Sequence, residues 1–118
     1  MEFENLRSRT KKFALDVIRL VEELPGDRTA RILGAQLLRA GTSVGANYRA
    51  ACRAKSTADF ISKMGTVEEE ADESGYWMEL LLDSNKLGIA KGAKLLREAG
   101  ELTAISVASI TTARKGRR

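Results

Sequence analysis

Apolar side chains return every three or four positions through four stretches of this chain, the spacing of helices that each bury one face. In the first stretch Leu6, Thr10, Phe13, Val17, Leu20 and Leu24 share a side, which predicts a helix over residues 5–24. Pro25-Gly26 stops it, because proline cannot donate to a continuing helix and glycine accommodates the turn. Asp27 can accept a hydrogen bond from the free N–H groups of a second helix, predicted over 27–54 with Leu33, Leu37, Ala40, Val44, Tyr48 and Ala51 inward. Ser56-Thr57-Ala58-Asp59 has the form of a capping box with Asp in place of Glu. It opens a third helix over 57–87, with Phe60, Met64, Val67, Ala71, Ser74, Met78 and Leu82 on its inner face and Gly88 expected to close it. The last helix is predicted over 91–113, with Leu95, Ala99, Leu102, Ser106, Ser109 and Ala113 inward and a basic tail at 114–118. Connections this short return each helix beside its predecessor, so the expected fold is all-α: an antiparallel up-down-up-down four-helix bundle spanning residues 1–118 as one domain.

Composition narrows the chemistry. With 118 residues, 43% hydrophobic side chains and only 5% aromatic, the core must be built mainly from aliphatic residues and Ala. The chain has no histidine and one cysteine, which excludes His-based catalysis, Cys-His nucleophile pairs and disulfide frameworks. The longest uncharged run, Leu102 to Ala113, is shorter than the roughly twenty apolar residues of a membrane span. Glu2, Glu4, Arg7 and Arg9 leave the N-terminus without the apolar segment of a signal peptide. A cytoplasmic location is therefore expected, with no membrane association and with Cys52 a reduced thiol serving as a small apolar filler.

The net charge of +4 conceals a sharp segregation. Residues 27–55 carry six basic and one acidic side chain, whereas residues 56–88 carry two basic and eight acidic. Helices two and three should attract each other, although exposed pairs contribute only about 0–1 kcal/mol apiece. At about 100° per residue, Arg28, Arg31, Arg39, Arg49 and Arg53 fall within one narrow arc opposite the core face of helix two. Ala35, Thr42 and Ala46 lie between them, small enough to let a phosphate backbone or another helix come close. Two readings stay open: a solvated face with acidic partners, and a nucleic-acid surface completed by Arg114, Lys115, Arg117 and Arg118, without any base-reading signature.

Gly34, Gly41 and Gly45 line a third side of helix two with Cys52. Each interior glycine costs about 1 kcal/mol relative to alanine, and close approach of another helix is the expected compensation. On helix three, Tyr76, Leu80 and Leu87 are expected to project from the back, with Trp77 on the flank. Large apolar side chains on a second face of a bundle helix predict contact with another copy of the chain. Leu15 and Ile18 on helix one point the same way more weakly.

Catalytic and metal chemistry finds little support. Glu68, Glu69, Glu70, Asp72 and Glu73 crowd together, but none falls on the inner arc of helix three, and the Glu-x-x-His motifs of bundle di-metal sites are absent. Glu69 and Glu73 are better suited to pair with basic residues of a neighbouring helix or subunit. Ser43 and Asn47, at the edge of the helix-two core face, could hydrogen-bond across the bundle, and a catalytic serine would lack a histidine base. Lys63 and Lys91 have no partner motif, and Gly41 and Gly45 lie within a helix whose amides are already used. The expectation is a protein without catalytic residues, metal or cofactor.

Arg39-Ala40, Ser43, Asn47, Phe60, the run Glu70-Ala71-Asp72-Glu73-Ser74, Tyr76-Trp77 and Glu79-Leu80-Leu81 together resemble a bacterial four-helix bundle family. Its members include proteins encoded in intervening sequences of large-subunit ribosomal RNA genes, and it is similar to the accessory variability proteins of diversity-generating retroelements. The resemblance covers nearly the whole chain, including the exit of helix one at Leu24-Pro25. It implies a bundle that assembles as a ring, typically a homopentamer with a central channel, and, from the retroelement branch, basic surfaces that bind RNA or DNA and contact a reverse transcriptase. By position, Ser43, Asn47 and Glu73 match the family's polar packing residues, and Arg39 a basic residue near subunit contacts. Where many members follow the asparagine with Ile-Ala-Glu-Gly, this chain has Tyr48-Arg49-Ala50-Ala51, which replaces an acidic position and adds a positive charge. The expected function is therefore a non-enzymatic oligomeric bundle that binds nucleic acid without sequence specificity; the alternative is a scaffold for an acidic or polymerase-like protein.

Overall fold

The computed structural model describes residues 2–116, with side chains from residue 6 onward. Four helices follow one another, α1 (Glu2–Glu22), α2 (Arg28–Cys52), α3 (Thr57–Asp83) and α4 (Ile89–Gly116), with no strand among the described residues. They form a rod with extents of 51 × 21 × 20 Å. Each helix packs on its chain neighbours in antiparallel fashion: Thr10 lies beside Gly45 and Val17 beside Gly41, while Leu82 lies beside Gly92 and Ala99 beside Gly75. The bundle closes where α1 meets α4, its slightest contact.

The caps set the boundaries. The Asp27 carboxylate accepts from the Ala30 N–H at 2.9 Å, and the Ser56 hydroxyl accepts from the Asp59 N–H at 3.0 Å. Asp59 completes the box by accepting from the Lys55 N–H at 3.0 Å, one residue before the capping serine. Helix α3 stops four residues short of the expected end, and not at Gly88. Asn85 adopts the left-handed conformation with φ 61°, the Lys86 N–H bonds the Leu81 carbonyl at 2.9 Å, and the Asn85 N–H bonds the Leu82 carbonyl at 3.1 Å. That is a Schellman cap with asparagine in the place glycine usually takes. Helix α4, conversely, continues through Arg114 and Lys115 to Gly116.

The core runs through all four helices, and Phe13, Val17, Leu37, Val44, Tyr48, Met64, Val67, Met78, Leu81 and Leu102 are almost completely sealed from water. On α3 the expected inner positions Met64, Val67, Ala71, Ser74 and Met78 are buried, and only the last turn departs: Leu81 is fully buried, while Leu82 is half-buried. Three buried hydroxyls are satisfied within their own helices, Thr10 donating to the Arg7 carbonyl, Ser74 to that of Glu70 and Ser106 to that of Leu102. Glycine brings α1 onto α2. A Cβ on Gly41 would sit 2.8 Å from Val17 Cγ2, and one on Gly34 would sit 2.9 Å from Leu24 Cδ1.

Candidate nucleic-acid interface

The arginines of α2 share an arc but not an environment. Arg28, Arg31, Arg49 and Arg53 are exposed, and none of the ion pairs between described residues includes them. Arg39 is engaged: its guanidinium donates to Glu70 of α3 at 3.2 Å and also to Glu73, whose carboxylate accepts from the Trp77 indole N–H at 3.1 Å. The opposite charges of α2 and α3 therefore meet in one bidentate clasp midway along the rod. At about 1.5 Å per residue, the remaining arginines form two groups separated by roughly 27 Å between Arg31 and Arg49.

Topology gives those two groups different company. One end of the rod gathers the N-termini of α1 and α3 and the C-termini of α2 and α4, and is called here the terminal end. It holds Arg49 and Arg53 with Arg7, Lys55, Arg114 and Lys115, all exposed. The acidic side chain described there, Asp59, is paired with Lys63 at 2.6 Å; that lysine and the Lys55 N–H hold its carboxyl below the usual range. At the far end, Arg28 and Arg31 share space with Glu22, Glu23, Asp27 and Asp83, and two lysines are tied up in the pairs Lys86–Asp27 and Lys91–Glu23. Arg7 and Lys55 were not singled out from the sequence; the signal that finds them is the short connections, which fix the chain ends to be juxtaposed. Arg117 and Arg118 lie outside the described residues.

The outer face of α3 is only partly as expected. Tyr76 is 53% exposed and stands edge-on to Trp77, with ring centroids 5.3 Å apart. Trp77 and Leu80 are half-buried. Leu87 is the correction: it does not project from the back of a helix but is buried against the core. Because the chain leaves the helix at Asp83 and turns through Asn85, helical periodicity no longer governs Leu87, which swings inward over Gly92. Beside Tyr76, between α3 and α4, lies a shallow groove of about 360 Å³ floored by Gly75, Ala99 and Gly100 and edged by Asp72 and Glu79.

Other candidates resolve locally. Ser43 donates to the Arg39 carbonyl and Asn47 to the Ser43 carbonyl, so both bond along α2 instead of reaching across the bundle. Cys52 is exposed at the end of α2, not a core filler. The buried Tyr48 hydroxyl has its pKa pushed up, first by burial and then by its hydrogen bond with Cys52. Among the described residues no group of three or more Asp, Glu or Cys side chains is placed to hold a metal ion. None of the helices over the described residues is long and apolar enough to cross a membrane.

Comparison with known proteins adds two findings. A family model described as 23S rRNA-intervening sequence protein matches residues 5–108. A crystal structure of a protein of unknown function from the S23 ribosomal protein family of Bacteroides thetaiotaomicron superposes with a TM-score of 0.87 at 30% identity, covering 94% of this chain and 99% of the other. No curated protein matches.

Proposed function

The chain belongs to the 23S rRNA-intervening sequence protein family, and from that premise we propose that it is a non-catalytic, self-associating helical protein of the cytoplasm that binds RNA or DNA through phosphates without reading sequence. The observation that carries the reading is the set of exposed arginines on α2 and its C-cap, Arg28, Arg31, Arg49 and Arg53, outside every ion pair between described residues. Guanidinium groups without a carboxylate partner are free to neutralise phosphates and release counterions, which gives affinity without base discrimination. Arg39 contributes less, since its guanidinium already bridges Glu70 and Glu73.

Assembly is the second part of the proposal. The exposed Tyr76, with half-buried Leu80 and Trp77 on its flanks and the groove beside Gly75 and Gly100, supports contact with a further copy. A ring of five follows from the resemblance stated above. Filter binding of two duplexes of unrelated sequence at low salt tests the binding half, with equal affinities expected and a strong preference or no retention overturning it. A pull-down from nuclease-treated lysate bears on the same point: capture that survives the nuclease would favour a protein scaffold instead.

A further inference from the structure

We propose that the terminal end of the rod, and not the length of the arginine stripe, is the surface that grips the phosphate backbone of a nucleic-acid duplex. The proposal rests on the nucleic-acid reading above and narrows it to one site. Six exposed cations, Arg7, Arg49, Arg53, Lys55, Arg114 and Lys115, converge there from the ends of α1, α2 and α4 and the connection after α2.

Helix dipoles do not account for the cluster. Two helix N-termini and two C-termini meet at each end of an antiparallel bundle, so their partial charges nearly cancel and the side chains set the field. Arg49, Arg114 and Lys115 in the last turns of α2 and α4 have a local role beside the C-terminal carbonyls. Arg53, the C-cap of α2, sides with Arg49, but Arg7 and Lys55 have no such role, because they lie near the N-terminus of α1 and in the connection between α2 and α3. Scale fits as well. The end is about 20 Å across, and a duplex carries one charge per roughly 1.7 Å of its axis counting both strands, so about twelve phosphates lie along that length, enough on one side to engage the six cations. At the far end Arg28, Arg31, Lys86 and Lys91 share the surface with Glu22, Glu23, Asp27 and Asp83, and two of those carboxylates are already in ion pairs with the lysines.

Two double variants, one at each end of α2, separate the alternatives. Arg49→Gln with Arg53→Gln removes two charges from the terminal end, and Arg28→Gln with Arg31→Gln removes two from the far end. The probe is a fluorescent RNA duplex of about 20 base pairs at about 50 mM salt. The terminal pair is expected to weaken binding about tenfold or more and to lower the log–log salt slope by about 2, while the far pair changes affinity less than about threefold. Equal losses for both pairs, or a larger loss for the far pair, overturn the proposal and leave the general nucleic-acid reading standing. Absence of binding by the parent protein removes that general reading first. Circular dichroism melts keep the comparison fair: all four positions are exposed, so both variants should unfold close to the parent temperature.

Discussion

Along its seam with α2, α1 lies so close that Val17 and Thr10 occupy the space where side chains of Gly41 and Gly45 would project. Along its seam with α4 the two helices stand over a groove of about 610 Å³, crossed by Arg9 to Glu98 at 2.7 Å, Arg9 to Glu101 at 2.6 Å and Lys91 to Glu23 at 2.8 Å. One side of α1 is thus held by steric fit and apolar contact, the other by charged straps over a floor that includes Phe13, Leu20 and Leu95. The contrast shows where the fold tolerates change. Tight seams punish added volume, whereas strapped seams depend on ionic strength, because the partners at Arg9 are a quarter to a half exposed and reached by salt.

The heaviest blow to this asymmetry is Gly41→Leu. Three atoms of Val17, a fully buried and β-branched residue, lie within 3.2 Å of the new Cβ position, and a cost of about 3 kcal/mol is expected in urea unfolding. Gly41→Ala should cost about 1 kcal/mol, the clash outweighing the gain in helix propensity. Gly34→Ala meets instead the flexible end of half-buried Leu24 and should be close to neutral, so equal penalties at 34 and 41 would erase the distinction drawn between them. Next comes the open seam: Arg9→Gln is expected to lose about 1 kcal/mol at low salt and much less at 1 M salt, read from paired urea titrations. Gly65→Ala, on α3 and outside both seams with nothing near its Cβ position, should stabilise by about 0.5–1 kcal/mol.

The smallest effect is acid-dependent. The Asp27 carboxyl is held below its ordinary pKa by the Ala30 N–H and then by Lys86. A carboxyl whose folded pKa is depressed stabilises the fold above its unfolded pKa, near 4, and that contribution disappears as pH falls through the lowered value. Asp27→Asn keeps a capping acceptor without the charge. Its urea midpoint should therefore be lower than the parent's at neutral pH, and the two should converge below about pH 3.

Much of this architecture was readable in advance, and the exceptions have physical causes. Leu6, Phe13, Val17 and Leu20 declared α1 by spacing, and Asp27 and Ser56 marked where the next helices begin by supplying acceptors to free N–H groups. The end of α3 was misplaced because Asn85 can take the left-handed conformation with little penalty, so a helix can stop there without glycine. That error carried Leu87 onto the wrong face. The glycine side of α2 was legible as a close approach, but its partner, α1, is a tertiary fact. At the candidate interface the stripe was visible in the angular arithmetic. Its division was not, since the engagement of Arg39 depends on Glu70 and Glu73 arriving from a helix about thirty residues away, and the company of Arg7 and Lys55 depends on how the ends stack.

Salt dependence of duplex binding by the unaltered protein tests the functional reading most directly. If the terminal-end cations neutralise phosphates, a plot of log affinity against log salt concentration should fall with a slope of about −5, alike for unrelated sequences. A flat line, or no measurable affinity at the lowest salt, would contradict it.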